Sequence, residues 1–94
     1  MSRKPEERIA ELETLAHQLG ATIRYEKGDF EGGFCILKDQ KIILVNKKLI
    51  PNRKASVLAL ALAELGLDSV FIKPALREFI EDEVAKAVRS AQTG

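Results

Sequence analysis

The pattern of apolar and polar positions divides the chain into seven predicted elements, of which the first is a helix over residues 5–20. Pro5 suits its first turn, and Gly20 is a natural stop. Its apolar residues recur at the spacing of one helix face, at Ile9, Leu12, Leu15, Ala16 and Leu19. Residues 21–27 then alternate between apolar and polar side chains, which is typical of a half-buried strand.

Residues 34–46 predict two strands joined by a tight turn near Asp39 and Gln40. The second of these strands is apolar from Ile42 to Val45 without alternation. A strand of that kind is covered on both faces or nearly so, and we expect it to lie inside its sheet rather than at an edge.

The segment SVLALALAELGLD, residues 56–68, alternates in places like a strand but has the composition of a helix. Ala, Leu and Glu are strong helix formers, and Val57 is its only β-branched residue. Asn52 is a suitable N-cap and Gly66 supplies a left-handed cap, so a helix is predicted over residues 53–65. Because this helix is apolar on nearly all sides, it should pack between the sheet and either another helix or a second subunit.

The remaining residues complete the predicted order α-β-β-β-α-β-α. The sequence DSVFI, residues 68–72, is a candidate short strand, and residues 73–90 predict a last helix. The apolar stripe of that helix comprises Leu76, Phe79, Ile80, Val84 and Val88. The fold class is therefore α+β, with helices packed on a small mixed sheet of three to four strands in a single domain of residues 1–94. Residues 1–4 and 91–94 are expected to be frayed.

Composition narrows the choice of surroundings and partners. The 94 residues are 46% hydrophobic and carry a net charge of +1, which gives no overall attraction to nucleic acid or to an anionic membrane. One cysteine rules out an intramolecular disulfide and suits a reducing compartment. No apolar run has the length of a membrane span or the pattern of a signal peptide. We therefore expect a soluble cytoplasmic protein without a membrane partner.

Candidate catalytic and metal-binding residues are few. A zinc site commonly uses three or four His and Cys ligands, and the chain holds only His17 and Cys35 of these types. His17 falls on the polar side of the first helix and should face solvent, whereas Cys35 lies among apolar neighbours and is expected to be a buried structural thiol. A Cys–His pair for nucleophilic catalysis is therefore not predicted. The sequence predicts no metal, no cofactor and no catalytic residue, and hence a protein that is not an enzyme.

The glycine-rich segment GDFEGG, residues 28–33, lacks the spacing of a phosphate-binding loop. It predicts a turn in which the glycines supply permissive backbone. Phe30 at its centre is a candidate interaction residue, and the alternative is that Phe30 folds back onto the core.

Charge is segregated along the chain although its sum is small. Residues 38–54 hold six basic side chains against one acidic, a local charge of +5, and residues 64–83 hold two basic against six acidic, a local charge of −4. Exposed N–H groups at a helix start also favour anions. Four cations lie just before or within the first turn of the second predicted helix: Lys47, Lys48, Arg53 and Lys54. They are the candidate contact for an anion, a nucleic acid or a partner, and the alternatives are a solvated rim and charge pairing between two subunits.

The strand KIILVN, the basic connection and the helix carrying LAELGL together resemble the ImmA/IrrE-type metallopeptidase family. In that family a strand ending in Asn leads to a helix bearing HExxH, whose two His bind zinc and whose Glu activates water. The resemblance places Glu64 at the catalytic Glu and Gly66 at the common Gly, but it puts Ala63 and Leu67 where the two His should be. It covers residues 5–67 in arrangement and implies a zincin-like scaffold that is not a peptidase. The chain also resembles a family of short bacterial proteins, and that resemblance implies no activity.

Two classes of function follow from these patterns. The first is a non-catalytic protein-interaction or structural module, acting as a homo-oligomer or as an accessory subunit, because the second helix is apolar on all sides and charge is segregated. The second is an anion- or nucleic-acid-binding module that uses the basic segment 38–54, although no aromatic platform accompanies its lysines. An enzymatic role has no group of residues to support it.

Overall fold

The computed structural model describes residues 4–92, with the side chains of residues 4–89. The element order α-β-β-β-α-α confirms the predicted α+β class. The helices and strands of this part of the chain are α1 (Pro5–Gln18), β1 (Ala21–Glu26), β2 (Gly32–Leu37), β3 (Gln40–Asn46), α2 (Pro51–Leu65) and α3 (Pro74–Gln92).

The strand predicted at residues 68–72 does not form. The exposure of its side chains nevertheless alternates as the sequence does: Val70 is half-buried, Phe71 is exposed and Ile72 is buried. Val70 and Ile72 pack in the core that the helices form, and Ile72 lines a groove together with Leu15 of α1. An alternating pattern indicates which side chains are covered, but a strand also needs a hydrogen-bonding neighbour. Within residues 4–92 the sheet consists of β1, β3 and β2, and residues 68–72 pair with none of them.

β3 is the central strand, as its continuous apolar run predicts. The strand order is β1-β3-β2. β3 is parallel to β1, with Ala21 opposite Lys41, and antiparallel to β2, with Cys35 opposite Ile42. Residues 27–31, which connect β1 to β2, therefore cross over the C-terminal end of β3.

The turn between β2 and β3 lies at Lys38 and Asp39, one residue earlier than predicted. These two residues have positive φ angles of 50° and 68°, the geometry of a two-residue type I′ hairpin turn. The turn fixes the pairing of Leu37 with Gln40 and thereby the register of the whole hairpin.

α2 is the central helix of the core. It contacts β2 and β3 on one side and α1 and α3 on the others. Its buried residues are Ala55, Val57, Leu58, Ala59, Ala61 and Leu62. Of the two arrangements predicted for this helix, the structure has the one in which it lies between the sheet and other helices, so its apolar surface is covered within one chain.

The start of α2 differs from the prediction. The helix begins at Pro51 with Ile50 as its N-cap, and Asn52 lies within the first turn. A first-turn N–H has no intrahelical acceptor, so Pro51 occupies this position without losing a hydrogen bond. At the other end Gly66 caps the helix as predicted and has a positive φ of 104°, which glycine adopts readily. Its ψ of 135° differs from that of the predicted left-handed cap.

α3 is covered mainly in its first half. Leu76 and Ile80 are buried, Val84 is half-buried, and Val88 is 49% exposed. Of the ends expected to fray, residues 91 and 92 belong to α3, Lys4 precedes α1, and residues 1–3 and 93–94 lie outside the described residues. None of the helices in residues 4–92 combines the length and the hydropathy that crossing a bilayer requires.

Candidate interaction site

The helices of the described chain cover only one face of the sheet. Ile43 and Val45 of β3 are fully buried in the core that the helices form. Because side chains alternate along a strand, Ile42 and Leu44 point to the opposite face. The register places Cys35 of β2 beside Ile42 on this outer face.

β2 is an edge strand that has one unpaired side and no charged residue. Its sequence is GGFCIL, and within residues 4–92 only β3 pairs with it and only α2 among the helices contacts it. Ile36 is 64% exposed and Leu37 is 54% exposed. Exposed apolar edges pair readily with another chain, and natural proteins usually protect them with charged residues, proline or bulges.

The backbone of β2 presents a defined set of groups to solvent. The backbone N–H of Asn46 donates to the carbonyl oxygen of Glu31 at 2.9 Å, which makes these two residues a hydrogen-bonded pair of the antiparallel ladder. Such pairs recur at every second residue, so the peptide groups of the odd-numbered residues of β2 face β3. The N–H and C=O groups of Gly32, Phe34 and Ile36 therefore point away from the sheet.

Gly32 begins β2 in a conformation that only glycine adopts readily. Its φ is 137°, and a Cβ at this position would overlap the carbonyl oxygen of Leu44 and lie 2.9 Å from a methyl group of Val57. Gly33, the next residue, has open space where a Cβ would lie. Phe34 and Ile36 are therefore the outward-facing residues of β2 that have regular strand geometry.

Cys35 is exposed, so the prediction of a buried thiol is wrong. Its sequence neighbours are apolar, but β2 is an edge strand and the Cys35 side chain lies on the uncovered face of the sheet. His17 is exposed near the end of α1, as predicted. α1 packs on the covered face, so His17 and Cys35 lie on opposite sides of the sheet and do not form a catalytic pair.

Phe30, the candidate interaction residue of the glycine loop, is half-buried and lies outside the buried core cluster. Its ring packs over Gly28, where a Cβ would overlap the ring. Its carbonyl oxygen accepts a hydrogen bond of 2.7 Å from the side-chain amide of Asn46. Phe30 therefore folds back onto its own loop rather than projecting into solvent.

The four predicted cations lie at the end of β3 and the start of α2, but they do not form one free cluster. Arg53 forms an ion pair with Glu31, and this hydrogen bond and charge raise the pKa of Arg53. Lys54 is half-buried, with its ammonium 5.8 Å from the ring centre of Tyr25. Only Lys47 and Lys48 are exposed and make no ion pair within residues 4–92.

The rest of the basic segment lies elsewhere. Lys38 is in the hairpin turn and Lys41 is near the start of β3, at the opposite end of that strand from Lys47 and Lys48. At a rise of about 3.3 Å per residue, the strand separates the two groups by roughly 20 Å. The local charge of +5 is therefore divided between two ends of the sheet.

Tyr25 joins β1 to α1. Its hydroxyl donates a hydrogen bond to the carboxylate of Glu13. Partial burial raises the pKa of Tyr25, and the hydrogen bond to Glu13 and the negative charge of Glu13 raise it further. All three effects favour the neutral phenol, which is the form that can donate this hydrogen bond.

A polar cleft of about 670 Å³ lies between α3 and the first turns of α1 and α2. The hydroxyl of Ser56 donates to the carboxylate of Glu83 at 2.7 Å, and the ammonium of Lys86 lies 3.1 Å from the other oxygen of that carboxylate. The guanidinium of Arg8 lies 4.9 Å from the ring centre of Phe79. Ser56 therefore ties α2 to α3, and Arg8 ties α1 to α3.

The positions that correspond to the metallopeptidase motif lie beside α3. Ala63 and Leu67 are half-buried and line a groove with Arg77, while Glu64 is exposed. Neither Ala63 nor Leu67 offers a metal ligand, and within residues 4–92 no three His, Cys, Asp or Glu side chains are placed so that they could hold a metal ion. The side chains present therefore do not fit the zinc ion that this family uses.

The β2 edge and Phe71 are the surfaces that the sequence does not identify. Phe71 is 83% exposed beside a groove of about 340 Å³ between α1 and the start of α3. The absence of charge in GGFCIL is a visible signal, but it indicates an interaction surface only once β2 is known to be an edge strand.

Comparison with protein-family models, with curated proteins and with solved structures finds no match to this chain.

Proposed function

We propose that this protein is a non-catalytic protein-interaction module whose contact surface is the β2 edge, acting as a homo-oligomer or as an accessory subunit. The observation that carries the proposal is an uncharged edge strand with the peptide groups of Phe34 and Ile36 directed outward and the side chains of Ile36 and Leu37 exposed. A strand added to such an edge gains backbone hydrogen bonds for affinity and side-chain contacts for specificity.

The opposite edge of the sheet lacks these properties. β1 carries an ion pair between Arg24 and Glu26, with 2.6 Å between its charged atoms. α1 packs along β1, and Tyr25 is bonded to Glu13 of that helix. Charged side chains and a covering element are the usual protection of a sheet edge, so β2 is the edge that favours a partner.

The proposal does not depend on α2 or on Glu64. The apolar surface of α2 is covered within the chain, and Glu64 has no metal ligand beside it within residues 4–92 to support catalysis. The order of a helix, a hairpin and a second helix supports a zincin-like scaffold without peptidase activity as the origin of the module.

A cytoplasmic location is part of the proposal, because a free, exposed thiol such as that of Cys35 suits a reducing compartment.

Purification from native lysate at low salt, with and without nuclease, tests the proposed function. We expect a self-complex or a stoichiometric protein companion that nuclease does not remove and that Ile36→Lys abolishes. Ile50→Lys is the matched control, because Ile50 is 63% exposed, close to the 64% of Ile36, and is the N-cap of α2 rather than a residue of β2. A monomer without a protein companion for the wild-type chain would contradict the proposal.

The alternative function is an anion- or nucleic-acid-binding module, and the exposure of Lys47 and Lys48 beside the start of α2 favours it. It predicts a salt-dependent affinity for polynucleotide that the double variant Lys47→Glu/Lys48→Glu weakens. Lys38→Glu/Lys41→Glu makes the same change of charge at the other end of β3 and should leave the affinity unchanged. Equal effects of the two double variants would indicate attraction by overall charge rather than a site.

A further inference from the structure

We infer that the partner of the β2 edge is the β2 edge of a second copy of this chain, paired antiparallel about a two-fold axis beside Cys35. The inference rests on the proposed function and names its partner. The two chains would form one continuous six-stranded sheet in the order β1-β3-β2-β2-β3-β1.

The charge of the strand favours a second copy. Near a two-fold axis each residue lies close to its own counterpart, so any charged side chain there meets a like charge. All six residues of β2 are uncharged, and the charged residues Glu31 and Lys38 flank its two ends. Antiparallel pairing centred on Cys35 places Lys38 of one copy beside the uncharged Gly32 of the other. Glu31 then faces Asp39 at the margin of the contact, where the ion pair with Arg53 of its own chain offsets the charge of Glu31.

The backbone of β2 selects the register of this pairing. Two antiparallel strands exchange hydrogen bonds between residues whose peptide groups face each other. Phe34 and Ile36 face outward in regular geometry, whereas Gly32 departs from it with a φ of 137°. The register that uses both regular residues in both copies pairs Phe34 with Ile36 of the second copy. Cys35 then lies directly opposite Cys35 of the second copy, in a pair that is not hydrogen-bonded.

The side chains fit the same register. A two-fold axis perpendicular to the sheet keeps the helices of both copies on one side, so each face continues across the contact. On the helix side, the half-buried Phe34 would cover Ile36 of the second copy, which is 64% exposed in the single chain. On the outer side, Leu37 would lie beside Gly33 of the second copy, where the space for a Cβ is open.

Cys35 reports directly on this contact because it is the only cysteine of the chain. Residues opposite each other in a pair without hydrogen bonds have Cα atoms about 4.5 Å apart, within the range that a disulfide spans. A mild oxidant should therefore convert the wild-type protein to a covalent dimer, seen on a non-reducing gel. Ile36→Lys should weaken the dimer about tenfold or more in sedimentation analysis and suppress the covalent dimer, because Lys on an edge opposes strand pairing.

Two control variants test whether the dimer and its cross-link depend on this contact. Ile50→Lys should leave both the dimer and its oxidation unchanged. Cys35→Ser combined with Ile36→Cys moves the thiol by one residue, opposite Phe34 of the second copy, and should not cross-link. Circular dichroism on each variant verifies that the fold is kept, which the exposure of Ile36 favours.

The outcomes that overturn the inference are distinct from those that overturn the proposed function. Faster cross-linking at position 36 than at position 35 overturns the register. A wild-type chain that is monomeric at every concentration overturns self-pairing, but the proposed function stands if a stoichiometric protein companion is lost in Ile36→Lys. A monomer whose companions are indifferent to Ile36→Lys contradicts both.

Discussion

The side-chain amide of Asn46 donates a hydrogen bond of 2.7 Å to the carbonyl oxygen of Phe30. It also donates to the carbonyl oxygen of Gly28 at 2.8 Å, and its own oxygen accepts from the backbone N–H of Lys48 at 3.0 Å. Asn46 is buried, with 8% of its surface exposed. One side chain therefore fixes the loop that crosses the end of β3.

Asn46→Asp should lower the free energy of unfolding by about 3 kcal/mol. A carboxylate has nearly the same shape as the amide, but when ionised it cannot donate a hydrogen bond. The carbonyl oxygens of Gly28 and Phe30 would then face a negative charge, and each buried polar group left unpaired costs about 1–3 kcal/mol. Urea denaturation near neutral pH measures the difference.

Asn52→Asp is the matched control for this substitution. Asn52 is exposed in the first turn of α2, where the helix dipole favours a negative charge. We expect a change within about 0.5 kcal/mol. A similar loss at both positions would mean that the hydrogen bonds of Asn46 do not stabilise the crossing loop.

Gly32→Ala should destabilise the fold by about 3 kcal/mol or more. The positive φ of Gly32 is strained for any residue with a Cβ, and the added methyl group would overlap the carbonyl oxygen of Leu44. Gly33→Ala adds the same methyl group into open space and should change stability by less than about 1 kcal/mol. Thermal unfolding of the two variants at one protein concentration compares them, and equal melting temperatures would contradict the backbone conformation described for Gly32.

Leu62→Ala should cost about 3 kcal/mol, because Leu62 is fully buried in the last turn of α2 and its loss leaves a cavity. Leu60→Ala removes the same atoms from a half-buried position on the same helix, and we expect about 1 kcal/mol. Denaturant unfolding gives both values. A larger loss at Leu60 than at Leu62 would show that α2 is rotated about its axis, with Leu60 rather than Leu62 toward the core.

Tyr25 should ionise above its ordinary pKa of about 10. The folded state holds the phenolic proton more tightly than the unfolded state does, so this contribution to stability is fully present below about pH 10 and is lost as pH rises further. Tyr25 is the only tyrosine of the chain, so phenolate absorbance in the near ultraviolet follows it directly. Glu13→Gln removes the nearby charge and should lower the midpoint, and a midpoint that does not change would exclude Glu13 as a cause.

The sequence predicts those parts of the fold that depend on burial. The run from Ile42 to Val45 correctly indicates a central strand, since β3 is flanked on both edges. The expected cover on both faces is only half right, because the helices pack on the face of Ile43 and Val45, although Ile42 on the other face is still only 5% exposed. The apolar composition of α2 likewise indicates, correctly, that this helix is covered on several sides. In both cases the apolar pattern indicates that the side chains are buried, whichever element covers them.

The predictions are wrong where the pattern does not show which helix or strand a segment packs against. Residues 68–72 alternate because Ile72 is buried between helices, and nothing in that alternation distinguishes a helix surface from a sheet as the neighbour. Cys35 has apolar neighbours but lies on the uncovered face of an edge strand, and the edge position depends on strand order. The sequence does not identify the candidate interaction site for the same reason. An uncharged strand offers a binding edge only if it lies at the edge of the sheet, and the sequence does not give the strand order.

The parallel pairing of β1 with β3 has a consequence for the order in which a newly synthesised chain can fold. Ala21 pairs with Lys41 and Glu26 with Asn46, so every residue of β1 is synthesised twenty positions before its partner. The β2–β3 hairpin closes locally across a two-residue turn, whereas β1 joins only once β3 is available, and non-local pairing of this kind forms more slowly. A nascent chain that has not yet reached Asn46 holds an unpaired β1, and this interval of synthesis is when its apolar residues are most available to other chains.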